Sequence, residues 1–115
     1  MTFKMILATV KTEISDKVVD AAKKAGVPGA TIITARGTGI HEAKTFFGLS
    51  LEAQTDIILF LVEEHMVDEI MDVISEAGEF NKPGTGIAFS IPVDHVHGME
   101  SQIDKFKKEV QDNYF

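Results

Sequence analysis

Cysteine is absent from the 115-residue chain, which excludes disulfides, thiolate nucleophiles and every cysteine-bound metal. No run approaches the roughly 18 consecutive apolar residues that a membrane-spanning helix needs, so the chain is not expected to be membrane-inserted. Positive charge is scarce: 11 Lys and Arg against 18 Asp and Glu leave a net charge of −7. Affinity for a phosphate backbone comes from clustered Lys and Arg, so nucleic acid is not the expected partner. A small anion held by backbone amides is not excluded by that balance. Nucleophile elbows, lysine-bearing P-loops and HExxH helices are also missing, and the Lys11-Thr12 segment does not supply an acylphosphatase-type phosphate loop. The chain is therefore expected not to be an enzyme. Its first residues, MTFKMILATVKTE, lack a basic flank and a small-residue cleavage site, and predict a strand of a cytoplasmic protein rather than a signal peptide.

What is present reads as one domain over 1–115, large enough for a core without metal or disulfide staples. Hydrophobic residues make up 44% and charged residues 25%, ordinary for a globular chain. Residues 3–10 (FKMILATV) form an apolar run of strand length, the pattern of a buried central strand. Ile14, Val18, Ala21, Ala22 and Ala25 then fall on one helical face. Thr12 or Ser15 is the expected cap and Gly26 the stop. Residues 30–35 (ATIITA) predict a second strand, and 56–62 (DIILFLV) a third, also central. A second helix opens at Glu63-Glu64, presents Met66, Ile70, Val73, Ile74 and Ala77, and stops at Gly78. Ile87, Phe89, Ile91 and Val93 alternate as a fourth strand, where Pro92 predicts an edge or an end. Met99, Ile103, Phe106 and Val110 predict an amphipathic helix over about 99–112. This order gives an α+β, ferredoxin-like βαββαβ sandwich with an added C-terminal helix. Its open sheet face needs a cover, most economically a second copy of the chain.

Two short glycine turns stand at strand boundaries: Gly37-Thr38-Gly39 after the second strand and Gly84-Thr85-Gly86 before the fourth. Closely spaced glycines let backbone N–H groups approach an anion unobstructed, and two such turns are able to form two lips of one site. Taken singly, each is more often a plain turn. Between the second and third strands, 36–55 has no clean period and carries Phe46, Phe47, Leu49 and Leu51. A loop of this length is usually functional, and its apolar members either pack locally as a short helix or await a partner. His95 and His97 in VDHVHG are a weak metal pair, since two ligands are too few; by default they are solvated, as are His41 and His65. The KFKKE run at 105–109 reads as a solvated helix face.

Three stretches, GVPGATIITARGTG, ILFLVEEHMVDEIMDVISEAG and NKPGTGIAFSIPV, resemble in order and spacing the P-II signalling family of trimeric nucleotide sensors, over about residues 3–99. The resemblance implies a homotrimer with an adenine nucleotide in the cleft between subunits. Segment 36–55 would be the T-loop that docks onto a target protein, a membrane transporter or a metabolic enzyme, with His41, Phe46 and Phe47 as contacts. Segment 78–86 would be the B-loop around the phosphates. Carried over by match, Thr31 and Leu61 would lie near the base, with Gly37, Thr38 and Gly39 facing phosphate opposite Gly84, Thr85 and Gly86. The family's lysine after the second B-loop glycine is here Ile87. The arginines of its IRIR segment align with Gly98 and Glu100, and its T-loop glutamine with His41. The loop also has no tyrosine, the family's usual modification site; the one tyrosine is Tyr114. Lys82, with Arg36 or Lys44, would supply replacement charge. The implied ligand is ATP, ADP, AMP or cyclic AMP, with the need for Mg²⁺ open. The competing expectation is a trimeric metal-binding or structural protein resembling the divalent-cation-tolerance family, in which both glycine turns are only turns.

Overall fold

A computed structural model describes residues 2–35, 45–46, 49–50 and 54–98. The expected C-terminal helix at 99–112, the Gly37-Thr38-Gly39 turn, His41 and Phe47 lie outside them. The described elements are β1 (Phe3–Lys11), α1 (Ser15–Lys24), β2 (Thr31–Ala35), the short pair β3 (Thr45–Phe46) and β4 (Leu49–Ser50), β5 (Thr55–Glu63), α2 (Val67–Ala77) and β6 (Gly86–Val93). One sheet runs in the order β2-β5-β1-β6 with every neighbouring pair antiparallel. The two longest apolar runs, β1 and β5, are its central strands. This is the ferredoxin-like arrangement, with each βαβ unit split by a strand from the other half.

Alternation along the strands sorts side chains onto two faces. Ile6, Ala8 and Val10 of β1 and Ile58, Phe60 and Val62 of β5 are buried together with Val18, Val19 and Ala22 of α1 and Ile70 and Ile74 of α2. Both helices therefore cover one face. The other face carries Met5, Leu7 and Thr9, then Ile57, Leu59 and Leu61 opposite them, with Ile87, Phe89 and Ile91 on the β6 flank and Ile33 on the β2 flank. No helix among the described residues lies on it, and Ile33, Phe89 and Ile91 are 46%, 39% and 38% exposed. Pro92 sits on edge strand β6, where a missing N–H costs no ladder bond on the outer side.

Three local expectations change. Neither Thr12 nor Ser15 caps α1 through its side chain. Both hydroxyls instead donate to Asp56 across the core, Thr12 Oγ1 to Oδ1 at 2.9 Å and Ser15 Oγ to Oδ2. The second helix begins later than its acidic residues suggest, because Glu64–Met66 forms a 3-10 turn ahead of α2. Within 36–55, Thr45–Phe46 pairs with Leu49–Ser50 as a small antiparallel ladder, so those residues are not a short helix.

Both helices end in the same bonding pattern. At α1 the N–H of Val27 donates to Ala22 at 3.1 Å and that of Gly26 to Lys23 at 3.0 Å. At α2 the N–H of Phe80 donates to Ser75 at 3.0 Å and that of Glu79 to Glu76 at 3.2 Å. This is the Schellman closure, which demands a left-handed residue just past the helix. At α1 that residue is Gly26, φ 112°; at α2 it is Glu79, φ 54°. α2 stops at Gly78 as expected, and the glycine there also makes room: a Cβ would lie 2.3 Å from the Phe80 ring.

Candidate functional site

The loop between α2 and β6 is held by its own groups. Beyond the helix closure, the Lys82 N–H donates to the Glu79 carbonyl at 2.9 Å. The Thr85 hydroxyl sits 2.8 Å from that carbonyl and 2.9 Å from the carbonyl of Lys82, so it braces the turn from inside. Lys82 Nζ lies 3.2 Å from the Glu79 carboxylate. Of the expected phosphate contacts, Lys82, Gly84, Thr85 and Gly86 are thus brought together in one turn, yet the lysine already has a counter-ion. The two glycines serve different ends. Gly84 takes φ 77°, which the turn requires. Gly86 is needed for packing, since a Cβ there would come within 2.7 Å of both the Phe80 ring and the Thr9 carbonyl.

The strand leading into the first glycine turn, β2, is one edge of the sheet, and β6, which follows the second, is the other. Ala35 faces Thr55, which faces Lys11, and Gly86 faces the adjacent Val10. The end of β2 and the start of β6 therefore lie at the same end of the sheet but three strand spacings apart, about 14 Å. Thr31 and Leu61 share the open face toward the opposite end, as diagonal neighbours across β2 and β5, about 7–8 Å apart by sheet geometry.

Sequence reasoning missed a polar corner at the same end of the sheet as the Gly84-Thr85-Gly86 turn. Lys11, Thr12, Glu13 and Gln54 line an open hollow of about 400 Å³, and the Thr12 N–H donates to the Gln54 carbonyl at 3.1 Å. Asp56, 4% exposed, anchors that corner by accepting from Thr12 and Ser15. These partners are more than 40 positions apart in sequence, which no local signal reveals. Nearby, Thr9 is 1% exposed and its hydroxyl has no partner among the described residues. Among the described residues no three His, Cys, Asp or Glu side chains gather in a metal-binding cluster, and His95 and His97 are both exposed.

The sequence model of the family "Nitrogen regulatory protein P-II" matches residues 3–102, nearly the whole span from β1 past β6. The chain belongs to the P-II family. A GlnB-like protein of the nitrogen-fixation nifHD region of Methanothermobacter marburgensis is 31% identical over 100 residues, covering 86% of this chain and 95% of the relative. Among solved structures, Arabidopsis thaliana PII bound to citrate superimposes with a TM-score of 0.64 at 25% identity, over 81% of this chain and 78% of that one. A PII-like signalling protein of Thermus thermophilus gives 0.63 at 22% identity, over 87% and 95%. CPII of Thiomonas intermedia, bound to ADP, AMP and acetate, gives 0.60 at 21% identity, over 82% and 90%. At those last two identities the likeness shows the fold.

P-II membership accounts for the open sheet face, since P-II proteins are trimers that act on target proteins. It also makes the chain a signalling protein by family. Among the described residues no helix is long and apolar enough to cross a membrane. On this P-II chain the position after Gly86 is Ile87, half-buried on the apolar face, and the loop's single lysine is paired with Glu79.

Proposed function

We propose that this P-II chain binds an adenine nucleotide between neighbouring subunits of a homotrimer and uses segment 36–55 to regulate a target protein, a transporter or a metabolic enzyme. The observation that supports this most is that β2 ends and β6 begins at one end of the sheet, on its two opposite edges. There an edge of one copy and the opposite edge of the next are able to face each other across a subunit boundary, with one glycine turn expected from each. Backbone N–H groups of both turns would then meet one phosphate group, with Thr31 and Leu61 near the base. The nucleotides in CPII support a site of this kind. Phosphate captured at the foot of segment 36–55 would fix that foot, so ligand state would set the conformation presented to the target.

Calorimetry of the purified protein against ATP, ADP, AMP and cyclic AMP, with and without Mg²⁺, tests the reading. Micromolar or tighter binding at one site per subunit is expected. Gly84→Asp, at a left-handed position that Asp tolerates better than most residues, is expected to abolish binding without disturbing the oligomer, as is Gly37→Asp. Unchanged affinity in both variants would overturn the site. Absence of nucleotide binding together with copper or zinc binding lost on replacing His95 and His97 would favour a metal-binding trimer instead.

A further inference from the structure

We propose that Phe80 is a positioning residue of the nucleotide site: its ring holds the two ends of the 78–86 loop together and so sets where the Gly84-Thr85-Gly86 turn stands. The inference rests on the nucleotide reading above and adds to it the side chain that shapes this half of the site.

The two helix ends supply the comparison. Each closure places an apolar residue where the N–H reaches back into the helix, Val27 after α1 and Phe80 after α2, as such closures commonly do. At α1 an aliphatic side chain is enough: Val27 is 2% exposed. The residue closing α1 at its C-terminus is Ala25, with an ordinary Cβ, and a Cβ added at Gly29 would meet nothing within 4 Å. After α2 both conditions reverse. The closing residue is Gly78, where a Cβ would lie 2.3 Å from Phe80 Cε1 and 2.8 Å from its Cδ1. At the far end of the loop, a Cβ on Gly86 would lie 2.7 Å from the same Cε1 atom. These separations fall well inside van der Waals contact.

One ring edge therefore reaches both ends of the loop, and the chain does without a side chain at each of them. Closing the helix does not call for this, since Val27 closes α1 without it. What the aromatic ring adds is reach, from the end of α2 to the first residue of β6, while it also packs against the hydrophobic core. The Thr9 carbonyl and Val10 Cγ1 crowd the same missing Cβ of Gly86, at 2.7 and 3.2 Å, so the ring and central strand β1 together fix that glycine. The polar bracing of the turn starts one residue earlier, at the Glu79 carbonyl, which accepts from the Lys82 N–H and stands 2.8 Å from the Thr85 hydroxyl. An apolar wedge and a polar hub are thus joined by one peptide bond. The Gly84-Thr85-Gly86 backbone is held in place ahead of binding, which spares a ligand the cost of ordering it.

The test is calorimetry with ATP, ADP and AMP on the wild-type protein, Phe80→Leu and Phe80→Ala. It is run where melting curves show each variant folded and sedimentation equilibrium shows it assembled. Leucine keeps an apolar branch against the core but ends short of the Cε1 position, so it separates reach from core packing. It also keeps the experiment valid should the alanine variant fold poorly. Expected in Phe80→Leu is about a tenfold loss of affinity, alike for every nucleotide that the wild type binds, comparable to the cost of fixing one residue's backbone. Melting without ligand reads the wedge itself. Gly78→Ala should lower the midpoint by several degrees in the wild-type background. Beside Phe80→Ala it should lower it by about half as much or less, because only the Ile74 carbonyl at 3.1 Å still crowds the new methyl. Unchanged affinity in Phe80→Leu overturns the positioning role while leaving the nucleotide site standing. Additive melting shifts overturn it as well, by removing the wedge. Failure of all three nucleotides to bind the wild type overturns the site together with this assignment.

Discussion

Phe60 and Phe89 sit on opposite faces of one sheet and have opposite standing. Phe60, on central strand β5, is fully buried under the helices; Phe89, on edge strand β6, is 39% exposed. The same apolar side chain thus serves two kinds of contact. On the helix face the side chains of the central strands are covered by the two helices of the same chain, and that core carries its own stability. On the open face a similar apolar density, with Met5, Leu7, Ile57, Leu59, Leu61 and Ile91, remains for another copy to cover. A P-II subunit divides its hydrophobic residues between folding and assembly.

The sharpest way to break that division is to truncate one phenylalanine at a time. Phe60→Ala is expected to destabilise the fold by about 3–5 kcal/mol, as buried aromatic truncations do, and denaturant titration would show it as a fall in midpoint. Removing Asp56, the polar member of the helix face, comes next. Asp56→Ala strands the Ser15 and Thr12 hydroxyls and should cost about 2–3 kcal/mol. Gly86→Ala should cost about 1–3 kcal/mol through overpacking, because the Phe80 ring can shift but the Thr9 carbonyl belongs to the β1 backbone. Phe89→Ala should remove only about 1–2 kcal/mol from the isolated chain. Sedimentation equilibrium should instead show it weakening self-association strongly, and equal effects on folding from Phe60 and Phe89 would erase the distinction between the faces. Lys4→Ala, which breaks an exposed 3.9 Å pair with Glu64, should stay within about 0.5 kcal/mol.

How much of this was readable in the sequence follows from the range of the interactions involved. The central strands were legible because β1 and β5 are continuous apolar runs that owe little to distant residues. The stripe of α1 and its stop at Gly26 were legible for the same reason: periodicity and a glycine are local signals. Thr12 and Ser15 misled because hydroxyls before a helix normally cap it, whereas here a buried carboxylate from β5 competes for them and wins. No local pattern announces a partner brought in by sheet pairing. Glu79 was invisible for a different reason. A glutamate after a helix looks like surface charge, and only its backbone angle separates it from its neighbours. Of the site, the Gly84-Thr85-Gly86 turn was legible as a turn, but its internal bracing by Thr85 and the pairing of Lys82 depend on how the chain folds back between α2 and β6.

The two edge strands carry a further consequence. If the phosphate site is made by the meeting of two edges, no single chain possesses it, and occupancy becomes linked to assembly by mass action. Dilution would lower apparent affinity as subunits separate, and nucleotide would in turn hold subunits together at concentrations where they otherwise part. Such a protein reports ligand level and its own abundance through one equilibrium.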